Sequence, residues 1–514
     1  MTRIILRNIC CNWVGFAVGA ATLFFLTPFV LRHLGDARYG IWVLALSVTG
    51  SYGILAFGLQ AASTQYLTRH LASNDYARMN KSFSTGFTIL TRVAAVLVVV
   101  SFVLAWLGPN VFNVSPDLKA EFSWCIIIIG CNAACQMAMF PFSAVLVATQ
   151  RFDLKNLIAI TLHILYAVLA WFVLSLGYGL IAICLVGTVS QTIGHIARWR
   201  VAYCVLPQLN VPRRSIDSER LRELRSFGVW AFLLSIAQSV FVQVDALIIG
   251  MFLPIAALAP YALAIGLSRQ IEGLLTPVAR VFSPLATNLH ARSSEQELRT
   301  MYLAGSRSFL VLTTVVCVVA AVWAEDFFRL WVGQEYLTGK DYPSVALLFH
   351  LLLIALVARL VPGLGVQTLL GSLRVRSVAI ASITEAVSNL ILNVILVQYW
   401  GLLGIAYGTI LSAVIFRAFV IPCLVAKYLH ITVSAYLLQA CLRPVILGVT
   451  FGLVAMQLHD IWRPSNFPEF FCLLALTGLC AGPFVLIVGM TSRDRNRLLY
   501  SPILKRAYKP KSIQ

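Results

Sequence analysis

Long apolar segments recur along the whole chain and constrain its fold more than any other feature. Each run of roughly 18 or more such residues is typical of a transmembrane helix. The chain has 514 residues, of which 60% are hydrophobic and only 11% are charged, whereas soluble domains carry about 25% charged residues. No soluble core of this size could bury so much apolar surface. The sequence therefore predicts an all-α polytopic membrane protein.

The apolar segments divide into about fourteen transmembrane helices. Their approximate ranges are 8–31, 41–65, 83–107, 122–149, 156–176, 179–200, 227–253, 258–289, 302–324, 343–370, 377–399, 402–426, 440–458 and 468–490. The first run continues to Leu31, which favours an uncleaved span over a signal peptide. Several spans exceed the bilayer minimum, so kinks are expected, for example at Pro28, Pro277 and Pro284.

Basic residues lie mainly at one set of helix ends. The formal net charge is +19, but no dense basic domain or nucleic-acid-binding motif accompanies it, so we expect no nucleic-acid partner. With a cytoplasmic N-terminus, about 27 Lys and Arg fall in cytoplasmic segments and about 6 in external ones. This asymmetry predicts that both termini are cytoplasmic.

The two halves of the chain echo each other at an offset of about 222 residues. For example, "ATQRFDLKN" (148–156) parallels "LGSLRVRSV" (370–378), and "LGYGLIAI" (176–183) parallels "YWGLLGIA" (399–406). Six spans in each half make the repeats parallel, an arrangement that favours a central cavity opened alternately to each side.

The repeat predicts four segments along the chain. They are an N-terminal six-helix bundle (1–203), a cytoplasmic linker (204–226), a C-terminal six-helix bundle (227–427), and helices 13 and 14 with a basic cytoplasmic tail (428–514).

Two stretches carry a family resemblance. The first is "PFVLRHLGDARYGIW" (28–42), and the second is "LRELRSFGVWAFLLSIAQSVFVQVDALIIG" (221–250), followed by "APYALA" (259–264). They resemble the polysaccharide-exporter and O-antigen (Wzx-type) flippase branch of the MATE-like MOP superfamily, as does the arrangement of six, six and two spans.

This resemblance implies a flippase for surface polysaccharide biosynthesis in the bacterial inner membrane. Its substrate would be an undecaprenyl-pyrophosphate-linked oligosaccharide, moved from the cytoplasmic to the external leaflet by alternating access. Its partners would be membrane lipids and other polysaccharide-assembly proteins. No cofactor is expected, and no cysteine or histidine spacing indicates a metal site.

Six arginines fall inside the predicted spans: Arg92, Arg269, Arg280, Arg307, Arg359 and Arg417. A charge at a helix centre costs at least about 2.5–3.5 kcal/mol, so each needs a partner, a watery cavity or a function. Arg307 and Arg417 are close enough to helix ends to reach water. Arg269, Arg280, Arg359 and Arg92 are candidates for binding the pyrophosphate, because arginine chelates phosphate oxygens bidentately.

Acidic and amide side chains also occur within spans. Glu272 is three residues from Arg269, so the two are either an ion pair or separate cavity residues. Glu385 and Asn389 begin a polar stripe that continues to Asn393. Together with Asp245 and Glu272, they are candidates for a coupling site or a polar cavity. The alternative is that they only form interhelical hydrogen bonds.

The short stretch "RHLGDARYG" (32–40) separates the first two spans at their predicted external end. Gly35 suits the end of one helix and Asp36 the start of the next, so the stretch is first a turn. Arg32 and Asp36 are also candidates for the mouth of the substrate cavity.

Three other function classes remain open from the sequence. A cation-coupled exporter of small molecules would favour acidic cavity residues, whereas intramembrane arginines outnumber acids here by about six to three. A membrane polysaccharide polymerase or ligase would need room on an external loop, and these loops are short. A non-transporting scaffold would leave the buried arginines as an unexplained cost. No nucleotide-binding motif indicates ATP hydrolysis.

Overall fold

The computed structural model describes residues 2–55, 57–210, 229–339 and 341–490. The regular structure of these residues is helical, and no strand occurs among them. Eleven of the helical segments in these ranges have the length and apolar composition needed to cross a membrane. The chain is therefore an all-α multi-pass membrane protein, which confirms the prediction from its apolar segments.

We number the α-helices in chain order. They are α1 (Thr2–Gly50), α2 (Phe57–Ala72), α3 (Tyr76–Val111), α4 (Lys119–Ala148), α5 (Phe152–Ser175), α6 (Leu180–Val205), α7 (Val229–Phe252), α8 (Leu258–Arg280), α9 (Phe282–Ala291), α10 (Glu295–Val322), α11 (Ala324–Trp331), α12 (Val345–Leu360), α13 (Gly363–Gly371), α14 (Val375–Ser412), α15 (Ile421–Leu429), α16 (Val433–Tyr436), α17 (Leu442–Ile461) and α18 (Phe467–Phe484). Short π-helical segments follow α14, α16 and α18.

Two of these helices are long enough for more than one crossing, and each is broken at a glycine. Gly35 has φ 73° inside α1, and Gly401 has φ 54° inside α14. A left-handed backbone of this kind is accessible to glycine at little cost. With both helices divided, and α8 and α9 taken as one crossing, the described residues account for each of the fourteen predicted spans. Most of the predicted linker and the basic tail (491–514) lie outside these residues.

The backbone also repeats the echo seen in the sequence. Left-handed turn residues recur at matching places in the two halves: Asn74 and Ser293 (φ 55° and 54°), Gln150 and Leu373 (56° and 59°), and Gly177 and Gly401 (83° and 54°). Four of the six are not glycine, and such residues seldom adopt positive φ. Matching turns at matching intervals support two parallel six-helix repeats.

Contacts group the chain into two compact units. The first unit contains residues 1–263 and 382–409, and the second contains residues 264–381 and 410–514. These boundaries differ from those of the four predicted segments, because they assign α7 to the first unit and divide α8 and α14 between the units. The four-segment division stays a prediction.

Within the second unit, the last two spans pack against α10. Their shared core contains Val311, Leu447, Phe451, Ala455 and Ala481. Between membrane helices such contacts stabilise by close van der Waals packing, because the surrounding lipid is as apolar as the side chains themselves. The pair is therefore integral to the second unit.

A buried ionic cluster reinforces this packing at one end. The Asp326 side chain, on α11, is only 6% exposed. Its carboxylate accepts hydrogen bonds from Arg329 Nη2 at 2.6 Å and from His459 Nε2, on α17, at 2.7 Å. Arg329 also donates to the Pro464 carbonyl at 2.7 Å, just before α18. The Asp326 carboxylate thus connects α11 to α17, and Arg329 extends the cluster to the loop before α18.

We expect Asp326→Asn to destabilise the second unit. The amide would leave the Arg329 cation without its buried partner, and breaking such a pair costs about 2–4 kcal/mol. Thermal melting of the detergent-purified protein, followed by tryptophan fluorescence, measures the loss. Glu325→Gln is the matched control, because it removes the same charge from the exposed neighbouring residue. Equal melting temperatures for the two variants would contradict the structural role of Asp326.

Candidate functional site

The first unit contains a fully buried polar network. Asp245, on α7, accepts a hydrogen bond from the Tyr261 hydroxyl at 2.5 Å and another from Asn393 Nδ2 at 2.8 Å. Asn393 Nδ2 also lies 3.4 Å from Asn389 Oδ1, and Asn389 Nδ2 lies 3.3 Å from Thr409 Oγ1. We call these five residues the polar network.

Burial gives the polar network its chemical character. Asp245 is 4% exposed, while Asn389 and Asn393 are completely buried. A carboxylate held away from water needs hydrogen-bond donors, and the Tyr261 hydroxyl and the Asn393 amide supply them. The Asn393 side-chain oxygen receives no hydrogen bond from the described residues. The cluster is therefore rich in oxygen atoms around one acidic group.

The polar network unites residues that lie far apart in the sequence. The stripe of Glu385, Asn389 and Asn393 lies on α14, and all three side chains are buried. Asp245 contacts this stripe from α7. Tyr261 and Thr409 complete the network, but neither was singled out by the sequence. In the sequence, Tyr261 is marked only by the "APYALA" segment, and Thr409 only by its distance of sixteen residues from Asn393. Neither feature identifies the residue as a partner of Asp245 or Asn389 unless the fold is known.

The second unit contains three of the four arginines that the sequence predicts to bind the pyrophosphate. Arg269 and Arg280 are exposed along α8, and Arg280 ends that helix. Their spacing of eleven residues places them on nearly the same face. An exposed guanidinium within a membrane span is stable only where it meets water, an anion or the membrane interface.

Arg359 is the most buried of the three and has an acidic neighbour. Its side chain, on α12, is 19% exposed and its Nη2 lies 3.9 Å from Glu272 Oε1. The sequence leaves two alternatives for Glu272, an ion pair with Arg269 on its own helix or a separate cavity residue. The structure places it beside Arg359, between two helices instead. This long, half-buried pair compensates part of the cost of the Arg359 charge.

The remaining arginines of the spans lie in different surroundings. Arg92 is exposed on α3, in the first unit. Arg307 donates to the Gln439 carbonyl at 3.1 Å, and Arg417 lies half-buried in the π-helical segment after α14. Arg92 therefore belongs to the first unit, whereas the α8 arginines and Arg359 belong to the second.

The stretch from Arg32 to Gly40 is a turn with an ion pair. Arg38 contacts Glu121, on α4, through Nε at 2.8 Å and Nη2 at 2.9 Å. This bidentate pair fixes the turn to α4, a role that the sequence did not indicate. Arg32 is exposed and Asp36 is half-buried. Arg32 and Asp36, the two candidates for the mouth of the cavity, are thus accessible. Arg38, by contrast, is engaged in a structural ion pair with Glu121.

No group of three or more His, Cys, Asp or Glu side chains among the described residues is arranged to hold a metal ion.

Comparison with known proteins is consistent with this architecture. The model of a family described as "Polysaccharide biosynthesis protein" matches residues 5–290, more than half of the chain. A Shigella flexneri protein named "Putative O-antigen transporter" is 21% identical over 411 residues, covering 78% of this chain and 93% of that protein.

Solved structures resemble the chain in fold. The lipid II flippase MurJ in an inward closed conformation has a TM-score of 0.68 at 11% identity, covering 97% of this chain and 100% of its own. An inward-facing multidrug resistance MATE transporter of the MOP superfamily has a TM-score of 0.64 at 15% identity, covering 80% and 95%. The chain therefore has the MATE-like fold of that superfamily.

Proposed function

Because the chain belongs to the family of polysaccharide biosynthesis proteins, we propose that it flips an undecaprenyl-pyrophosphate-linked oligosaccharide across the bacterial inner membrane. Movement proceeds from the cytoplasmic to the external leaflet by alternating access. The activity is transport and not enzymatic catalysis. The single observation that supports this cargo best is the pair of exposed arginines, Arg269 and Arg280, on α8, the helix that lies in the eighth predicted span.

A cargo of this kind would explain why arginines occur on a helix within the predicted membrane spans, where a charge is energetically unfavourable. A pyrophosphate carries negative charge that cannot cross hydrocarbon without compensation. Guanidinium groups offer it paired N–H donors and stay charged at all physiological pH values. Arg359 adds a third cation on α12, held near Glu272 until the phosphate competes for it. Arg92, Arg32 and Asp36 would contact the sugar headgroup at other positions along its route.

The polar network is the proposed coupling site. Asp245 is a buried acid with hydroxyl and amide groups around it, so it is suited to exchanging a proton or a small monovalent cation. Glu385 and Asn389 extend it along α14. A coupling cation bound at Asp245 would change the hydrogen bonds of Tyr261 and Asn393, which lie on two other helices. Binding would thereby favour one conformation over the other.

Orientation follows from the distribution of charge. The excess of Lys and Arg at one set of helix ends supports cytoplasmic N- and C-termini. In that orientation the cargo is loaded on the side where α9 and the turn before α14 lie.

A second candidate is a cation-coupled exporter of small molecules, which the fold similarity to a multidrug resistance transporter favours. Such cargo is itself cationic and would be repelled by exposed arginines. The excess of arginines over acids in the spans therefore supports the anionic, lipid-linked cargo.

Deleting the gene tests the proposed function. We expect undecaprenyl-linked repeat units to accumulate on the cytoplasmic side and surface polysaccharide to be lost, with both restored by a plasmid copy. Unchanged surface polysaccharide without any such accumulation would contradict the proposal. Lipid extraction and mass spectrometry measure the accumulated intermediate.

A further inference from the structure

The second unit has a cluster of exposed basic side chains at one end. It is formed by the end of α9, the turn between α13 and α14, and the end of α15. We call it the basic end surface, and it consists of His290, Arg292, Arg374, Arg376, Lys427 and Tyr428. All but Tyr428 are exposed, and Tyr428 is half-buried.

Aromatic contacts hold the centre of this surface in place. The Arg374 guanidinium lies 4.3 Å from the centre of the Tyr428 ring. The Tyr428 hydroxyl lies 3.0 Å from His290 Nδ1. Gly371 packs so closely on Ser283 that a side chain there would collide with the Ser283 carbonyl. A cation held over an aromatic face loses less rotamer freedom when it binds a ligand than a free side chain would.

The internal repeat shows that this charge is specific to the second half. In the matching turn of the first half, Arg151 Nε donates to Asp153 Oδ1 at 3.1 Å. The backbone turn is conserved in the second half, with left-handed residues at equivalent positions. There, however, Arg374 corresponds to Arg151 and Arg376 to Asp153. The position of an acidic residue in one repeat is thus occupied by a second arginine in the other.

The surroundings of Arg374 contain little negative charge. No carboxylate of the described residues lies within ion-pair distance of its guanidinium. Glu295, at the start of α10, is 3.5 Å from Arg299 instead. Leu373, the residue before Arg374, is 78% exposed. An exposed leucine beside arginines is typical of a surface at the membrane interface, where the apolar side chain enters the acyl region.

We propose that the basic end surface binds the diphosphate headgroup of the polyprenyl-linked cargo before the cargo enters the transport route. This proposal rests on the proposed function. Several cations around a fixed guanidinium suit a diphosphate, whose multiple charges and oxygens exceed those of an ordinary phosphodiester. The predicted topology places the surface on the cytoplasmic side, where the cargo starts. Leu373 lies where the polyprenyl chain would leave the headgroup.

The test separates this surface from the α8 arginines. The starting protein is R269A/R280A in phosphatidylcholine nanodiscs, and the probe is undecaprenyl diphosphate without sugar. We expect binding to persist in this protein and to weaken about tenfold or more when Arg374→Ala and Arg376→Ala are added. Arg151→Ala, the matched turn of the first half, is the control. Melting temperatures establish that all variants are folded.

Three results would overturn the proposal. One is unchanged affinity in the folded Arg374 and Arg376 variants, and another is an equal loss with Arg151→Ala. The third is that the Arg374 and Arg376 substitutions weaken the binding of phosphatidylglycerol as much as that of undecaprenyl diphosphate. The surface would then be a general contact for anionic membrane lipids. Each of these outcomes leaves the flippase function intact, whereas a deletion strain with normal surface polysaccharide would overturn that function whatever the binding result.

Discussion

Replacing Arg269 and Arg280 together by alanine is expected to reduce export of surface polysaccharide at least about a hundredfold. Each guanidinium–phosphate contact is worth about 1.5–3 kcal/mol, or roughly tenfold or more. The two side chains lie on one face of α8 and are exposed, so their removal leaves no cavity in the core. Restoration of surface polysaccharide in the deletion strain, at matched expression, measures the loss.

The lysine variants of the same two positions sharpen this prediction. Arg269→Lys with Arg280→Lys keeps both charges but loses the bidentate geometry. We expect intermediate export, well above that of the alanine variant and below wild type. Normal export by the alanine variant would remove both residues from the transport route.

Asp245→Asn is expected to abolish coupled transport while leaving the protein folded. Asparagine preserves the size of the side chain and still accepts a hydrogen bond from Asn393, but it cannot exchange a proton or neutralise a cation. We expect transport to fall at least about a hundredfold and to become insensitive to an imposed proton or sodium gradient. Transport into vesicles with either gradient, applied separately, measures the effect and identifies the ion.

Tyr261→Phe is the matched variant for this position. It removes one hydrogen bond to the Asp245 carboxylate, yet retains the acidic group. Its effect should be about tenfold, since one hydrogen bond to a charged group is worth about 1.5–3 kcal/mol. If Asp245→Asn transported at the wild-type rate with unchanged gradient dependence, the polar network would be structural only.

The sequence predicts the membrane spans well because each depends on local composition. The length and apolar composition of a segment are enough to predict that it lies in lipid, and no information about distant residues is needed. The ends of spans are less well predicted. The span expected at 258–289 is broken between Arg280 and Phe282, which places Arg280 at a helix end. Such breaks depend on tertiary packing and not on the apolar pattern alone.

The candidate site illustrates what periodicity can and cannot predict. Spacing of four residues correctly places Glu385, Asn389 and Asn393 along one buried stripe. It does not indicate that Asp245 completes the stripe from another helix. Likewise, helical spacing offers Arg269 as a partner for Glu272, whereas the Glu272 carboxylate lies 3.9 Å from the Arg359 guanidinium. Partners on different helices are set by packing, which a single sequence does not encode locally.

The stretch at Arg32–Gly40 shows the same limit. Gly35 was expected to end a helix, and its positive φ agrees with that role. The bidentate contact of Arg38 with Glu121 spans 83 residues, so no local pattern could have predicted it. Local backbone chemistry is thus predictable here, while long-range ion pairs are not.

Reconstitution of the purified protein in liposomes tests whether the chain moves a lipid-linked oligosaccharide between leaflets. Proteoliposomes containing the purified protein and a fluorescent undecaprenyl-pyrophosphate-linked oligosaccharide are probed with an external reagent that quenches or modifies only the accessible sugar. We expect wild-type protein to move the lipid-linked sugar between leaflets and R269A/R280A to do so only at the protein-free rate. Movement no faster with wild-type protein than in protein-free liposomes, under either ion gradient, would contradict the proposal that this chain is a lipid-linked oligosaccharide flippase.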